Sequence, residues 1–246
     1  NGITYKNKIT KLPEKFKEDG ISSGWRIMKE GGGIYDYYMV KSAGVNPENG
    51  EQLYWIWNDD NKQFEKVGGA KYDSGLKNRQ YVGSSLPKLT GGFYVNAAAY
   101  GFDFSMQFAY RIGGKVYDAN YANLMSAGNP GTNWHMDILN RWTPENKNTD
   151  VPRLQSSTQI LTQATDRFII DGSYLCLNNL TLGYTLPKSL LNKVGIQGLR
   201  IYFAADNLGL WSKRKGLDPR VSLNGTQDVS VNSAVRALSF GINLNL

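Results

Sequence analysis

The stretch that most restricts what this chain can fold into is its last one. From Leu238 onward the even positions Leu238, Phe240, Ile242, Leu244 and Leu246 are apolar, while Ser239, Gly241, Asn243 and Asn245 between them are small or polar. Apolar residues at every second position give an extended strand one greasy face and one polar face. The alternation runs to the final carboxylate, where an untied strand of a soluble sheet frays. Its length also fits the roughly 9 to 11 tilted residues that cross a bilayer as a β-strand. The expectation is a membrane barrel strand with lipid on one side and water on the other.

The same pattern recurs upstream. Residues 89–100 lead to Gly101, after which Phe102, Phe104, Met106, Phe108 and Tyr110 alternate with Asp103, Ser105, Gln107 and Ala109, the signature of a hairpin. Residues 167–186 read as one long strand whose apolar phase shifts from odd (Leu175, Leu177) to even (Leu180, Leu182, Tyr184), which predicts a bulge at Asn178-Asn179. Leu199, Ile201, Phe203 and Ala205 mark the next strand. Residues 25–30 and 34–40 read as a hairpin around Gly31-Gly32-Gly33, and residues 53–57 and 64–67 as a smaller one across Asp59-Asp60-Asn61. The count comes to about eight wall strands in a single unit, residues 1–246. Short connections fall at 31–33, 101 and 187–198 and long ones at 44–83, 113–165 and 212–233, the asymmetry of outer-membrane barrels with short periplasmic turns and long outside loops. A soluble sandwich uses the same alternation and remains the rival on pattern alone.

Composition narrows the function. No run approaches the roughly 18 apolar residues of a spanning helix. The 28 basic and 21 acidic residues leave a net charge of +7, but only Lys213-Arg214-Lys215 forms a basic run. Without a basic stripe or module, nucleic acid is not expected as a partner, and anionic lipid head groups or a polar cargo suit the charge better. The single cysteine, Cys176, excludes an internal disulfide and a thiolate metal cluster. An enzyme needs a nucleophile, a base and an orienting group, and the one histidine, His135, sits in an Asn- and Gly-rich loop. No catalytic residue, cofactor or metal site is therefore assigned, although the acidic loop 145–150 carries oxygen ligands without the spacing of a calcium hand. Asn1 opens no signal peptide, so a leader has been removed or the chain is the downstream part of something longer. Tyr37, Tyr38, Tyr110, Tyr184 and Tyr202 are assigned to the interfacial aromatic girdles. Trp55, Trp57 and Trp134 fall in the long loops, where flat rings stack on sugar faces or clamp a peptide, or else pack loop on loop.

Several blocks resemble one family in order along the whole chain. GGGIYDYYMVKSAGVNPENGEQLYW, LPKLTGGFYVNAAAYGFDFSMQFAYRIGGKVYD, RWTPENKNTDVPRL, DGSYLCLNNLTLGYTLPKSLLNKVGIQGLRIYFAADNL and GLDPR are similar to the C-terminal part of SusC-like (RagA/SusC) TonB-dependent outer-membrane transporters of Bacteroidetes. The resemblance implies an all-β fold, the trailing part of a transmembrane antiparallel barrel of about 22 strands with long extracellular loops. It implies TonB-energised import of oligosaccharides or oligopeptides through the outer membrane. The implied partners are a SusD-like lipoprotein lid, the TonB complex reached through an N-terminal region absent from this chain, the plug and the rest of the barrel, outer-membrane lipids, and a dimer of transporter–lid pairs. Ser239, Gly241, Leu244 and Leu246 fit the polar-x-Gly-x-x-apolar-x-apolar signal by which such barrels are recognised for insertion. Two positions depart from the family: Cys176 stands where Arg is common, and Leu246 where an aromatic is usual.

The alternative from another class is a passive or structural outer-membrane barrel formed by this chain alone, since eight strands close a small, side-chain-filled barrel.

Overall fold

A computed structural model describes residues 1–125, 131, 133–155, 163–192, 195–213, 218–220, 223, 225 and 234–245. In chain order, β1 (Gly2–Thr4) is followed by an excursion of short strands: β2 (Ile21–Ser23), β3 (Arg26–Met28), β4 (Asp36–Met39), β5 (Ser42–Val45), β6 (Gln52–Asn58), β7 (Gln63–Gly68) and β8 (Gln80–Ser84). Two long strands, β9 (Leu89–Ala99) and β10 (Phe102–Ile112), lead to β11 (Lys115–Tyr117), the helix α1 (Ala119–Leu124) and β12 (Ile169–Asp171). The strand β13 (Tyr174–Thr185), the one-turn helix α2 (Lys188–Leu191), β14 (Gly198–Ser212) and β15 (Ala237–Asn245) complete the series.

One antiparallel sheet dominates, in the order β1-β9-β10-β13-β14-β15. Its last five strands have 11, 11, 12, 15 and 9 residues, enough to cross a bilayer's hydrocarbon when tilted. The register stacks like on like. Phe104 lies between Ala97 and Leu182, Leu182 faces Phe203, and Phe203 faces Phe240. One residue along, Ser105 faces Asn96 and Thr181, Thr181 faces Ala204, and Ala204 faces Ser239. Because the pleat has period two, this register fixes the face of every neighbouring side chain.

Among the described residues most large side chains of the greasy face stay open, although Ala205 and Leu177 are buried. Phe240 is 83% exposed, Ile242 68% and Leu182 46%. The packed core lies elsewhere: Tyr37, Met39, Tyr117, Ala122, Met125, Ile138, Val151 and Phe168, drawn from β4, β11, α1 and the loops around them. A soluble sandwich would bury Phe104, Phe108, Phe240 and Leu244 against one another. Here they are spread along one open surface, and the excursions supply their own interior.

Turn chemistry explains the two ends of the sheet. Tyr100 and Gly101 have φ of 53° and 86° and join the Ala99↔Phe102 pair. That is the mirror-image two-residue turn whose twist matches antiparallel strands. This hairpin and the α2 connection share one end, whereas the links β1–β9, β10–β13 and β14–β15 all leave from the other. The predicted bulge is present: pairing jumps from Asn179 to Leu177 in both ladders, leaving Asn178 unpaired.

Several expectations need correction. Among the described residues the long sheet has six strands rather than about eight. The strands on either side of Gly31-Gly32-Gly33 are only three and four residues long, too short to cross a bilayer. They pair with β2 and β8 in a four-stranded loop sheet, so this glycine turn is not a periplasmic one. The single strand read at 167–186 is broken at Gly172-Ser173. Asp171 Oδ1 accepts both the Ser173 N–H and its hydroxyl (2.9 and 2.6 Å), turning the chain so that β12 pairs with β11 instead. Of the girdle tyrosines, Tyr110 and Tyr184 stand on the greasy face. Tyr37 is wholly buried in the loop core, and Tyr202 lies on the polar face.

The two faces are separable by experiment. In the full-length protein, Leu182→Lys is expected to cost about 2–4 kcal/mol in a bilayer and to lower the heat-modifiable, membrane-inserted fraction. Thr181→Lys, one residue away on the polar face, is expected to leave that fraction near the parent level.

Candidate functional site

The long excursions fold back onto one another. Trp142 Nε1 donates to the Pro47 carbonyl (3.0 Å), and its indole covers Gly50, where a built Cβ would lie 2.5 Å from the ring. Gly50 also has φ of +73°. Arg153 closes the other side of this turn, with its N–H on the Gly50 carbonyl (2.9 Å) and Nη1 on the Asn49 carbonyl (3.0 Å). The sequence blocks VNPENGEQLYW and RWTPENKNTDVPRL are thus one interlocked unit.

The third excursion is pinned as well. Arg220 forks onto Asp218 (2.9 and 2.6 Å) and reaches Asn207 Oδ1 (3.0 Å) and Cys176 Sγ (3.3 Å) at the bulge. Its hydrogen bonds hold the Asp218 carboxyl below the usual range against the opposing effect of burial, which is the larger single influence. Further on, the Tyr37 hydroxyl donates to the Gly225 carbonyl (2.7 Å) and the Ser85 hydroxyl to that of Leu223 (2.6 Å).

Among the candidate cargo residues, Trp55 and Trp57 share one face of β6. Lys66 Nζ lies 5.3 Å from the Trp55 ring centre, and Phe64 meets Trp57 edge-on at 5.2 Å. On the opposite face Tyr54 is buried, and desolvation raises its phenol well above the ordinary value. Trp134 lies in a different excursion, just before the 3-10 turn Met136–Asn140, so the sequence reading grouped residues of two separate elements. His135 caps that turn: its Nδ1 accepts the Asp137 N–H (3.1 Å), and Tyr121 donates to the Asp137 carboxylate (2.8 Å). The acidic turn at β6–β7 is internally paired. Lys77 Nζ binds Asp59 at 2.7 Å and lowers its carboxyl, while Asn58 and Asn61 lower that of Glu65. Among the described residues no three His, Cys, Asp or Glu side chains gather as metal ligands.

The terminal strand places Ser239 and Gly241 on the polar face and Leu244 on the greasy one, opposite Leu199. Leu246 lies outside the described residues. Gly241 faces Tyr202, and a built Cβ there would stand 2.3 Å from the tyrosine ring, so the ring lies flat across the glycine. A second such pair neighbours it. Arg200 binds Asp103 with both forks (Nε–Oδ1 2.8 Å, Nη2–Oδ2 2.5 Å), reaching across β13 where Gly183 offers no side chain to obstruct it. Asp103, Ser105, Gln107, Asn243 and Asn245 all stand on this face, as the reading of a wet lumen requires. Arg200 and Gly183 were missed because Asp103 lies 97 and 80 residues away in sequence and only the register brings them together, and Arg220 because its contact with Cys176 spans 44 residues although its main partner, Asp218, is two residues away.

No family model matches the chain. It is 30% identical over 96% of its length to TonB-dependent receptor P3 of Formosa agariphila, covering 24% of that protein, and 28% identical over 98% to TonB-dependent receptor SusC of Bacteroides thetaiotaomicron, covering 23%. It superposes on the RagAB peptide transporter with a TM-score of 0.72 at 28% identity, over 97% of this chain and 25% of that one. An open-open state of the RagAB peptide importer gives 0.68 at 28% identity over 98% of this chain. The chain spans about a quarter of these relatives' length, and they are named as receptors and transporters, not enzymes.

Two substitutions test these close packings. Gly50→Ala is expected to cost about 1–2 kcal/mol for its left-handed backbone alone, with increased proteolysis of the loops and a red-shifted tryptophan emission as Trp142 is displaced. Gly241→Val is expected to reduce the assembled, heat-modifiable barrel several-fold, and the double change with Tyr202→Ala to recover part of that loss. Recovery absent from the double variant would remove the steric reading of Gly241.

Proposed function

The chain belongs to the SusC-like TonB-dependent receptors, and from that premise we propose that it supplies wall and outward-facing loops to an importer of oligosaccharides or oligopeptides in the outer membrane. The observation that carries this reading is the two-faced sheet. Among the described residues its apolar side leaves Phe102, Leu182, Ile201, Phe240 and Ile242 exposed, and its other side carries Asp103, Arg200, Asn179 and Asp206 in hydrogen-bonded pairs, which suits a wall with hydrocarbon outside and a hydrated passage inside. The relatives' names support energisation by TonB. The neighbour described as a peptide transporter supports oligopeptide cargo, whereas the Trp55–Trp57 face suits sugar rings equally.

In this picture the chain performs no bond chemistry. Cargo is captured at the outer mouth beneath a SusD-like lipoprotein, and the wall offers it a polar lining once the plug is displaced by TonB. Plug, lid, lipids and a dimer of transporter–lid pairs remain part of the proposal. The passive-barrel alternative fits less well, because among the described residues β1 and β15 are the two edges of an open sheet and do not pair.

The test is uptake of fluorescently labelled oligosaccharides and oligopeptides by cells that depend on this protein for growth. Uptake is expected to vanish on deleting TonB or collapsing the proton gradient. The double change Trp55→Ala, Trp57→Ala is expected to reduce it several-fold at unchanged surface level. Persistence of uptake without TonB would overturn the energised mechanism, and unaltered uptake in the tryptophan variant would assign that pair to loop packing.

A further inference from the structure

A cavity of about 300 Å³ opens among the loop sheets, away from the Trp55–Trp57 face. Its lining includes Trp25, Tyr38, Tyr72, Ser74, Arg79 and Gln163. The three rings are braced from behind: Trp25 by Tyr117 at 4.1 Å, Tyr38 by Tyr81 at 5.1 Å and Tyr72 by Tyr54 at 4.7 Å. Side chains fixed in this way need no further ordering when something is placed between them, and prior ordering favours binding.

Arg79 gives the cavity its charge. Its Nε donates to the Ser74 carbonyl (2.8 Å) and Nη1 to the Gly24 carbonyl (2.7 Å), which orients the guanidinium. Among the described residues no carboxylate lies within ion-pair distance of it, and Nη2 has no acceptor. Asp73, close in sequence, is already engaged by the Gly75 N–H (2.9 Å) and the Asn78 amide (2.7 Å). An oriented guanidinium with spare donors beside aromatic walls matches a carboxylate joined to a ring-shaped body.

The remaining chemistry selects the body. The volume sits at the small end of ligand pockets, which run from about 300 to 1,000 Å³, so the occupant is monosaccharide-sized. Arg79 already occupies one lone pair on each of two carbonyls at the cavity, Ser74 and Gly24, which leaves each with room for at most one further donor. Tyr38, Tyr72, Ser74 and Gln163 supply hydroxyls and an amide, each able to donate and accept, as a ring of hydroxyl groups requires. We propose that this cavity is a binding subsite for a single acidic sugar, a pyranose bearing a carboxylate, with Arg79 on the carboxylate and the aromatic walls against the ring. The site goes beyond the import reading and does not depend on it, since a ligand can occupy it whether or not the barrel moves cargo.

The experiment is calorimetric titration of the full-length protein in detergent with galacturonic acid, its neutral methyl ester, galactose, and N-acetyl-dialanine. Galacturonic acid is expected to bind about tenfold more tightly than galactose or the methyl ester, the effect of one charge-assisted contact. Arg79→Gln is expected to erase that preference while galactose affinity stays unchanged. The ester comparison uses the unaltered protein and so holds even if the variant folds poorly. Equal binding of acid and ester, a preference that survives in Arg79→Gln, tighter binding of the dipeptide, or no binding of the sugar acid would each overturn the proposal.

Discussion

The structure depends on a pleat that gives one sheet two chemically different faces. Apart from the bulge at Asn178, the ladders from β9 to β15 run almost without a break, the backbone pairing that a chain proposed to stand in hydrocarbon needs. Side chains then alternate between the two sides without choice, so a residue's parity decides whether it meets lipid or water. This frees the wall from needing a core. Phe102, Leu182 and Phe240 remain exposed without an apolar partner sheet among the described residues, and on the proposed reading hydrocarbon takes the place of one.

That freedom at the wall imposes a demand on the excursions. Loops standing in water at one end of the sheet need an interior of their own, and they build it from Tyr37, Met39, Tyr117, Met125 and Phe168. Two glycines serve as sockets in this assembly. Gly50 receives the indole of Trp142, and Gly225 has φ of +67° and would carry a Cβ only 2.3 Å from that of Ser85. A side chain at either position would separate excursions that are far apart in sequence. The loops therefore behave as one joined body, which is the condition for a cavity between them to keep its shape.

Much of the wall was legible in the sequence, because period two is a local signal. The β9–β10 hairpin, the β13 bulge and the terminal strand follow from alternation, from the Tyr100-Gly101 turn and from the phase change at Asn178-Asn179. Strand length was harder to read. Tyr37 and Tyr38 have the composition of a wall strand, but β4 stops after four residues and its alternation points one side into a core. Hydrophobic alternation reports a half-buried strand without saying what buries it. The candidate residues suffered from the same limit. Trp55 and Trp57 are neighbours by parity, whereas Trp134 shares only their residue type and loop setting.

The polar face shows why its glycines sit where they do. If this face lines a lumen, as proposed, it has to remain open as well as wet, and large polar side chains that project from the wall would narrow it. Tyr202 and Arg200 lie down instead, whereas Tyr94 opposite Gln107 stays exposed. Tyr202 lies across Gly241, Arg200 and Asp103 join over Gly183, and the Arg200 guanidinium stands 5.0 Å from the Tyr202 ring centre. Each glycine is the empty position that lets a neighbour fold flat against the sheet, so contacts over β10, β13, β14 and β15 tie the polar face together with little bulk added to it. On this argument a glycine stands at position 241 for the same reason that one stands at position 183: the space above it is already occupied by a partner on the next strand.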